Sequence, residues 1–201
     1  MIVLEKDGDL WVARIDRPEK AGALTAGMLE ELAQIAETAQ TGARVLILTG
    51  TGKVFSAGMD LEAAKAGLAT STVWERLSGA LVAHPGLTIC ALNGTVAGGA
   101  VGMALACDLR VAVPGAKIFY PVMKLGFLPQ PSDPARLATL VGPARAKRVL
   151  MAGEKITADE ALNWGLFDRL SDDPVADARA LASDVLGADP DHAAAIKRLI
   201  G

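Results

Sequence analysis

The first quarter of the chain shows two patterns of apolar and polar residues, one typical of strands and one typical of a helix. Residues 2–5 and 10–15 are rich in β-forming residues and flank Asp7-Gly8, which predicts a β-hairpin. Behind Thr25 the apolar residues recur at helical spacing, so we expect a helix capped by that threonine. Its buried face should consist of Met28, Leu29, Leu32, Ile35 and Ala36.

Three later segments are predominantly apolar and are predicted to be strands: residues 45–48, 88–92 and 109–113. Continuous apolar strands are typical of a parallel sheet that is covered on both faces. Short glycine-containing turns separate these strands from predicted helices. The pattern therefore favours an α/β layered fold with right-handed crossovers.

From Ser132 onward the pattern is helical. Asp133 is expected to be the N-cap of a helix that continues with Pro134, and Thr157 with Glu160 forms a capping-box sequence. Helices are predicted over 133–141, 143–152, 158–164, 174–186 and 190–199. No linker divides the chain, so we predict one domain over 1–201, with a core over 1–130 and a helical region over 131–201.

One segment, residues 88–107, carries no charged side chain over the length of a membrane span. Asn93-Gly94 is a turn sequence, and Gly98-Gly99 would weaken a helix that crossed the whole segment. We therefore expect a strand, a turn and a buried helix there. The first residues do not resemble a signal peptide, so the predicted location is the cytoplasm.

The composition, 51% hydrophobic and 4% aromatic, is that of a globular protein. Twenty basic and 23 acidic residues give a net charge of −3 and form no blocks, which argues against nucleic acid or an acidic membrane as a partner. Cys90 and Cys107 lack a C-x-x-C spacing and are expected to be small buried hydrophobic residues. His84 and His192 lie far apart, so no metal site is predicted.

Glycine-rich loops follow the predicted strands. Gly52-Lys53 does not belong to a phosphate-binding P-loop, because Ile47 and Val54 stand where that motif needs Gly and Ser or Thr. The loop at residues 57–59 and the pair Gly98-Gly99 instead leave backbone amides open to close approach. Two such amides can form an oxyanion hole. The alternative is that these glycines serve only tight packing of strands on helices.

Several ordered motifs resemble one family over residues 2–199, the enoyl-CoA hydratase/isomerase (crotonase) family. They are Ala13-Arg14-Ile15-Asp16-Arg17-Pro18-Glu19-Lys20, Phe55-Ser56-Ala57-Gly58-Met59-Asp60-Leu61, Asn93-Gly94 with Gly98-Gly99, Ala104-Leu105-Ala106-Cys107-Asp108, and Lys124-Leu125-Gly126-Phe127-Leu128-Pro129. The resemblance implies a ββα spiral with a shortened helical C-terminal region, since relatives continue for further helices. It also implies a homotrimer or a hexamer.

The resemblance further implies that the backbone amides of Met59 and Gly99 polarise a coenzyme A thioester carbonyl and stabilise its enolate. Coenzyme A would enter as part of the substrate, with no separate cofactor and no metal. Trp74 would form the wall of the acyl pocket or an anchor on the surface. The residues expected to hold coenzyme A are Arg17, Lys20, Ala21, Ala23, Ala57, Gly58, Asp60, Leu61 and Gly98, although Asp60 has an alternative role as a helix cap.

The chain departs from the family at two positions, because Gly102 and Val122 stand where hydratases carry glutamates. Hydration needs two acid/base groups and isomerisation one, so an isomerase is preferred over a hydratase or racemase. Asp133 is the candidate base, with an ordinary N-cap as the alternative reading. Glu62 and Glu75 either reach the acyl chain or form a solvated helix face. The rival hypothesis is an acyl-CoA-binding protein without catalytic activity.

Overall fold

The computed structural model describes residues 1–200. The strands of this part of the chain are β1 (Ile2–Asp7), β2 (Leu10–Ile15), β3 (Val45–Gly50), β4 (Val54–Ser56), β5 (Leu87–Leu92), β6 (Thr95–Ala97), β7 (Leu109–Ala112), β8 (Lys117–Phe119), β9 (Ile156–Thr157) and β10 (Arg169–Leu170). The helices are α1 (Ala26–Gly42), α2 (Leu61–Lys65), α3 (Val73–Val82), α4 (Ala100–Ala106), α5 (Val122–Leu125), α6 (Asp133–Val141), α7 (Pro143–Leu150), α8 (Ala158–Asn163), α9 (Pro174–Leu181), α10 (Ser183–Gly187) and α11 (Pro190–Ile200). Two short 3₁₀ turns lie at Pro18–Lys20 and Leu68–Thr70.

The larger of two sheets has six strands in the order β1-β2-β3-β5-β7-β10. The hairpin predicted around Asp7-Gly8 is confirmed, because β1 and β2 are antiparallel and Ile2 pairs with Ile15. Strands β2, β3, β5 and β7 run parallel, and the short strand β10 extends the parallel order at the far edge.

Both faces of this sheet are covered, as the continuous apolar strands predicted. In β3, Leu46 and Leu48 face the core that includes α1, α3 and α4, whereas Val45 and Ile47 face a second cluster that includes α9. All four side chains are at most 3% exposed. The strand residues thus alternate between two cores, which fixes the register of the sheet.

The smaller sheet has four strands in the order β4-β6-β8-β9, and the sequence pattern did not predict any of them. Each spiral turn adds one strand to each sheet and then a helical segment: β3 and β4 precede α2, β5 and β6 precede α4, and β7 and β8 precede α5. This arrangement confirms the predicted ββα spiral. Strands of two or three residues are too short to carry a periodicity of their own.

The predicted helix behind Thr25 is α1, and the Thr25 hydroxyl accepts a hydrogen bond from the Met28 amide at 3.3 Å. All five residues of its predicted apolar face are buried. Residues 88–107 form β5, β6 and α4, which confirms the predicted strand, turn and buried helix. In the described chain, no helix is long and apolar enough to cross a bilayer. Cys90 and Cys107 are buried, as predicted.

The C-terminal helices begin and end within two residues of their predicted bounds, except that 174–186 divides into α9 and α10. The capping box of Thr157 and Glu160 is confirmed. The prediction that Asp133 is an N-cap is wrong, because Ser132 occupies that position and Asp133 is the first residue of α6. Its side chain accepts a hydrogen bond from Tyr120 instead of capping the helix.

Candidate active site

The two glycine-rich loops lie in direct backbone contact where β4 and β6 end. A methyl group added at Gly58 would lie 2.8 Å from the carbonyl oxygen of Ala97 and 3.3 Å from the α-carbon of Gly98. Gly58 has φ +92° and Gly98 has φ +57°, which residues with a side chain rarely adopt. Glycine is therefore required at position 58 both for space and for backbone conformation, and at position 98 for backbone conformation.

The amides of Met59 and Gly99 are left without partners by this geometry. The Leu24 amide donates to the Gly58 carbonyl at 2.8 Å, and the Asp60 amide donates to the Leu24 carbonyl at 2.9 Å. Because these bonds flank Met59, its own N–H points to the opposite side of the strand. Gly99 is the N-cap of α4. Within residues 1–200 neither amide donates a hydrogen bond.

A cavity of about 220 Å³ opens beside these two residues. Met59 and Gly99 both line it. Most of its other walls are apolar, and they include Trp74, Val122, Leu125, Phe127 and Leu128. A larger cavity of about 590 Å³ lies between α11 and the start of β5 and β7, and it contains none of the predicted site residues.

Trp74 forms the cavity wall next to Gly99. Its ring would lie 3.0 Å from a methyl group added at Gly99, and its Nε1 donates to the Leu68 carbonyl at 2.9 Å. The side chain is 3% exposed, so of its two predicted roles the structure selects the pocket wall. The indole thereby closes the cavity on the side of Gly99.

The residues predicted to hold coenzyme A form two strips of chain that are joined by backbone hydrogen bonds. Ala57 donates to the Ala21 carbonyl at 2.9 Å, beside the bond from Leu24 to Gly58. Eight of the nine predicted residues lie along these strips: Arg17, Lys20, Ala21, Ala23, Ala57, Gly58, Asp60 and Leu61. The ninth, Gly98, follows β6 and lies against Gly58. Lys20 and Leu61 are exposed.

Arg17 and Asp60 contact each other within this surface. One Arg17 nitrogen lies 2.8 Å from Asp60 Oδ2 and 2.9 Å from the Ala23 carbonyl. Asp60 also caps α2, which confirms its alternative role, and hydrogen bonds from the Ala63 amide and Arg17 lower the pKa of its carboxyl. The guanidinium of Arg17 is therefore engaged by the protein, and Lys20 is the more exposed cation.

Gly102 and Val122, which stand where hydratases of the resembling family carry glutamates, lie in different environments. Val122 is buried and lines the cavity, whereas Gly102 lies inside α4 against Asp133. Asp133 is 1% exposed and, among the described residues, does not line the cavity. Its Oδ2 accepts a hydrogen bond from the Tyr120 hydroxyl at 3.0 Å.

Neither glutamate that was considered for catalysis lines the cavity. Glu62 is exposed and pairs with Lys65 at 2.8 Å, as expected for a solvated helix face. Glu75 is half-buried and accepts hydrogen bonds from the Ser132 amide at 3.1 Å and the Ser132 hydroxyl at 2.6 Å. The prediction of a solvated face is therefore wrong for Glu75, which fastens α3 to the start of α6.

Tyr120 is the residue that the sequence reasoning missed. It follows β8 and lines the cavity, and its hydroxyl donates to Asp133 and accepts from the Gln130 amide at 3.3 Å. The sequence offered one indication, since Tyr120 is the sole tyrosine of the chain and lies two residues before Val122. Its contact with Asp133 spans 13 residues and follows from the packing of α6.

Comparisons with known proteins support the fold described above. The model of the family described as enoyl-CoA hydratase/isomerase matches residues 5–200. A Mycobacterium leprae protein named "Probable enoyl-CoA hydratase echA6" is 34% identical over 94% of this chain and 78% of its own length. The crystal structure of an enoyl-CoA hydratase from Bacillus anthracis has a TM-score of 0.92 at 27% identity, over 99% of this chain and 81% of the other. The structure of Pseudomonas aeruginosa DspI has a TM-score of 0.90 at 32% identity, over 99% and 85%.

Two mostly parallel sheets that are built by successive ββα turns, with a cavity at paired glycine loops, define an α/β protein of the crotonase fold. The match over nearly the whole chain makes the assignment more specific. The chain belongs to the enoyl-CoA hydratase/isomerase family.

Proposed function

We propose that this chain is an acyl-CoA thioester enzyme that stabilises an enolate between the backbone amides of Met59 and Gly99. The observation that carries the proposal is that both amides lack hydrogen-bond partners in the described chain and belong to residues lining one apolar cavity. An oxyanion donor of this kind contributes about 3 kcal/mol to the stabilisation of developing charge. Names of relatives such as the short-chain-enoyl-CoA hydratase of Clostridium acetobutylicum, 35% identical over 84% of this chain, support the substrate class.

In this proposal the acyl group occupies the apolar cavity and the thioester carbonyl lies between the two amides. The coenzyme A moiety lies over the joined strips at residues 17–24 and 57–61. The exposed ammonium of Lys20 contacts its phosphates, while the ion pair of Arg17 with Asp60 holds the loop in shape. Coenzyme A belongs to the substrate, and the reaction requires no resident cofactor.

Double-bond isomerisation is preferred over hydration. Addition of water needs one group to activate the water and another to protonate the α-carbon. Gly102 and Val122 supply neither group, and Val122 faces the cavity as an apolar wall. Isomerisation moves one proton from one carbon to another and needs one proton carrier.

A second function, binding of acyl-CoA without catalysis, is favoured by one observation. The buried carboxylate of Asp133, the predicted base, does not line the cavity in the described structure. A protein that binds a thioester without moving its proton would need the cavity and the amides and no base.

The deciding experiment incubates the protein with a saturated acyl-CoA in deuterated water and with a 3-enoyl-CoA, and follows both by mass spectrometry and absorbance. The enzyme proposal predicts deuterium at the α-carbon and conversion to the 2-enoyl thioester. If calorimetry detects binding but neither reaction occurs, the enzyme proposal is wrong and the chain is an acyl-CoA-binding protein without catalytic activity. Absence of acyl-CoA binding would contradict both proposed functions.

Assembly as a homotrimer or hexamer is proposed from the family alone. Light scattering coupled to gel filtration at several concentrations measures it directly. A monomer at all concentrations would show that this chain departs from the expected assembly.

A further inference from the structure

A buried carboxylate with an incomplete hydrogen-bond set lies next to the candidate active site. Asp133 is 1% exposed, and its Oδ2 accepts from the Tyr120 hydroxyl at 3.0 Å. Its Oδ1 has no hydrogen-bond partner within the described chain, and the nearest cation, Arg136, is 3.8 Å from it. Such an arrangement is costly, because a buried charge loses its hydration.

Tyr120 connects this carboxylate to the cavity. It is 4% exposed, lines the cavity together with Met59 and Gly99, and bonds Asp133 through its hydroxyl. The Gln130 amide donates to the same hydroxyl at 3.3 Å, which holds the ring in place. The hydroxyl has one proton and donates it to Asp133, so a second proton would have to arrive as this one leaves.

Gly102 creates the space for the carboxylate. A methyl group added at Gly102 would lie 2.6 Å from Asp133 Oδ1 and 2.7 Å from Oδ2. Any side chain at position 102 would therefore displace Asp133 from its bond with Tyr120. The position of Asp133 in α6 therefore depends on the absence of a side chain at Gly102 in α4.

We propose that the Tyr120 hydroxyl is the proton carrier of the site and that Asp133 is a positioning residue that accepts the hydroxyl proton. This inference rests on the proposed function. In the forward step the α-C–H bond breaks, its electron pair enters the enolate held by Met59 and Gly99, and its proton binds Tyr120 Oη. At the same time the original Oη–H bond breaks and that proton binds Asp133. The reverse transfer delivers a proton to the far end of the dienolate, which completes the isomerisation.

The surrounding charges set the pH range of this step. Burial raises the pKa of Asp133 to about 6, against the hydrogen bond from Tyr120 and the charge of Arg136, while the charge of Glu75 raises it further. Burial also raises the pKa of Tyr120, so its hydroxyl stays protonated at neutral pH. The active state has a deprotonated Asp133, and exchange should become faster as the pH rises through about 6.

The test compares Tyr120→Phe and Asp133→Asn with the unaltered protein. The phenylalanine keeps the ring in the wall, and the asparagine keeps an acceptor for Tyr120 at almost the same volume. Asp172→Asn makes the same chemical change at an exposed carboxylate and serves as the control. Calorimetric binding of a saturated acyl-CoA is measured for each protein together with α-proton exchange between pH 5 and pH 8.

We expect both site variants to bind acyl-CoA with unchanged affinity and to lose exchange by about 100-fold. Asp133→Asn should in addition lose the rise through pH 6, which Asp172→Asn should keep. Exchange retained by Tyr120→Phe would overturn the relay and leave the enolate proposal intact. Absence of exchange in the unaltered protein would overturn the enolate proposal and the relay with it. A site variant that fails to bind acyl-CoA and unfolds early would show a structural role only, which also contradicts the relay.

Discussion

The two sheets of this molecule are stabilised in different ways. In the six-stranded sheet, side chains such as Leu46 and Ile47 are fully buried between the strands and the helices on either face. In the four-stranded sheet the strands have three residues or fewer, and backbone meets backbone at glycines, as Gly58 meets Ala97. The first arrangement gives a rigid body. The second brings main-chain amides to a surface where no side chain stands between them and a ligand.

The largest effect should come from removing one donor amide in the small-sheet region. Gly99→Pro deletes the N–H at a residue whose φ of −58° suits proline. We expect α-proton exchange to fall by about 100- to 1,000-fold, because one oxyanion donor is lost.

The matched control is Gly99→Ala, which keeps the N–H. Both variants add a β-carbon against Trp74, at 3.0 Å from its ring. Exchange rates are compared with thermal unfolding of each variant. Equal loss in both variants would assign the effect to crowding by Trp74, and the amide would then have no special role.

The next effect tests the large-sheet region. Leu46→Ala removes a fully buried side chain from β3 and should lower the free energy of unfolding by about 2–5 kcal/mol. Leu199→Ala, at a residue 87% exposed on α11, should change it by less than about 0.5 kcal/mol. Urea denaturation measures both. Similar losses of unfolding free energy in the two variants would mean that the packing of buried side chains does not stabilise the large sheet.

The two regions also differ in how completely a buried charged side chain is hydrogen-bonded. Arg110 on β7 donates to the carbonyls of Leu166 and Cys107, each at 2.7 Å, and pairs with Asp168 at 3.0 Å. Asp133 near the active site has one hydrogen bond to Tyr120 and one oxygen without a partner in the described chain. The charge in the large sheet is satisfied, and the charge near the site is not.

Stability should therefore depend on pH through Asp133. The pKa of its carboxyl is about 6 in the folded protein, against an ordinary 3.8. The folded state holds the proton of Asp133 more tightly, so the contribution of this residue to stability is greatest below about pH 4 and is lost as the pH rises through about 6. The loss is of the order of 3 kcal/mol. Urea denaturation of the unaltered protein and of Asp133→Asn across this range isolates the residue, because the unaltered protein should lose stability relative to the variant as the pH rises. A difference between the two proteins that does not change with pH would contradict the raised pKa of Asp133.

The smallest expected effects on stability come from alanine substitutions at two glycines. A methyl group at Gly94, before β6, would overlap the carbonyl oxygen of Lys53, whereas one at Gly79 in α3 would meet no described atom within 4 Å. Gly94→Ala should destabilise by about 1–3 kcal/mol, and Gly79→Ala should stabilise by about 0.5–1 kcal/mol. Opposite shifts in melting temperature would confirm the contrast. A neutral Gly94→Ala would show that the backbone contacts of the small sheet can relax.

The sequence predicted five of the six strands of the large sheet, because they are long enough to show apolar runs or a hairpin pattern, and α1 because its apolar face repeats over several turns. It did not predict β10, which has two residues. The small sheet escaped notice because β4, β6 and β8 have three residues each. Of the site, Met59 and Gly99 could be proposed from glycine spacing and family resemblance. The hydrogen bond between Tyr120 and Asp133 could not, because it depends on how α6 packs against the spiral.

The contact between Gly102 and Asp133 restricts how this sequence can change over evolutionary time. A glutamate could not enter position 102 while Asp133 keeps its place, since its β-carbon would come within 2.7 Å of both carboxylate oxygens. Asp133 would have to be replaced first, and the intermediate protein would have neither carboxylate. Homologous sequences should therefore avoid having an acidic residue at both of these positions at once.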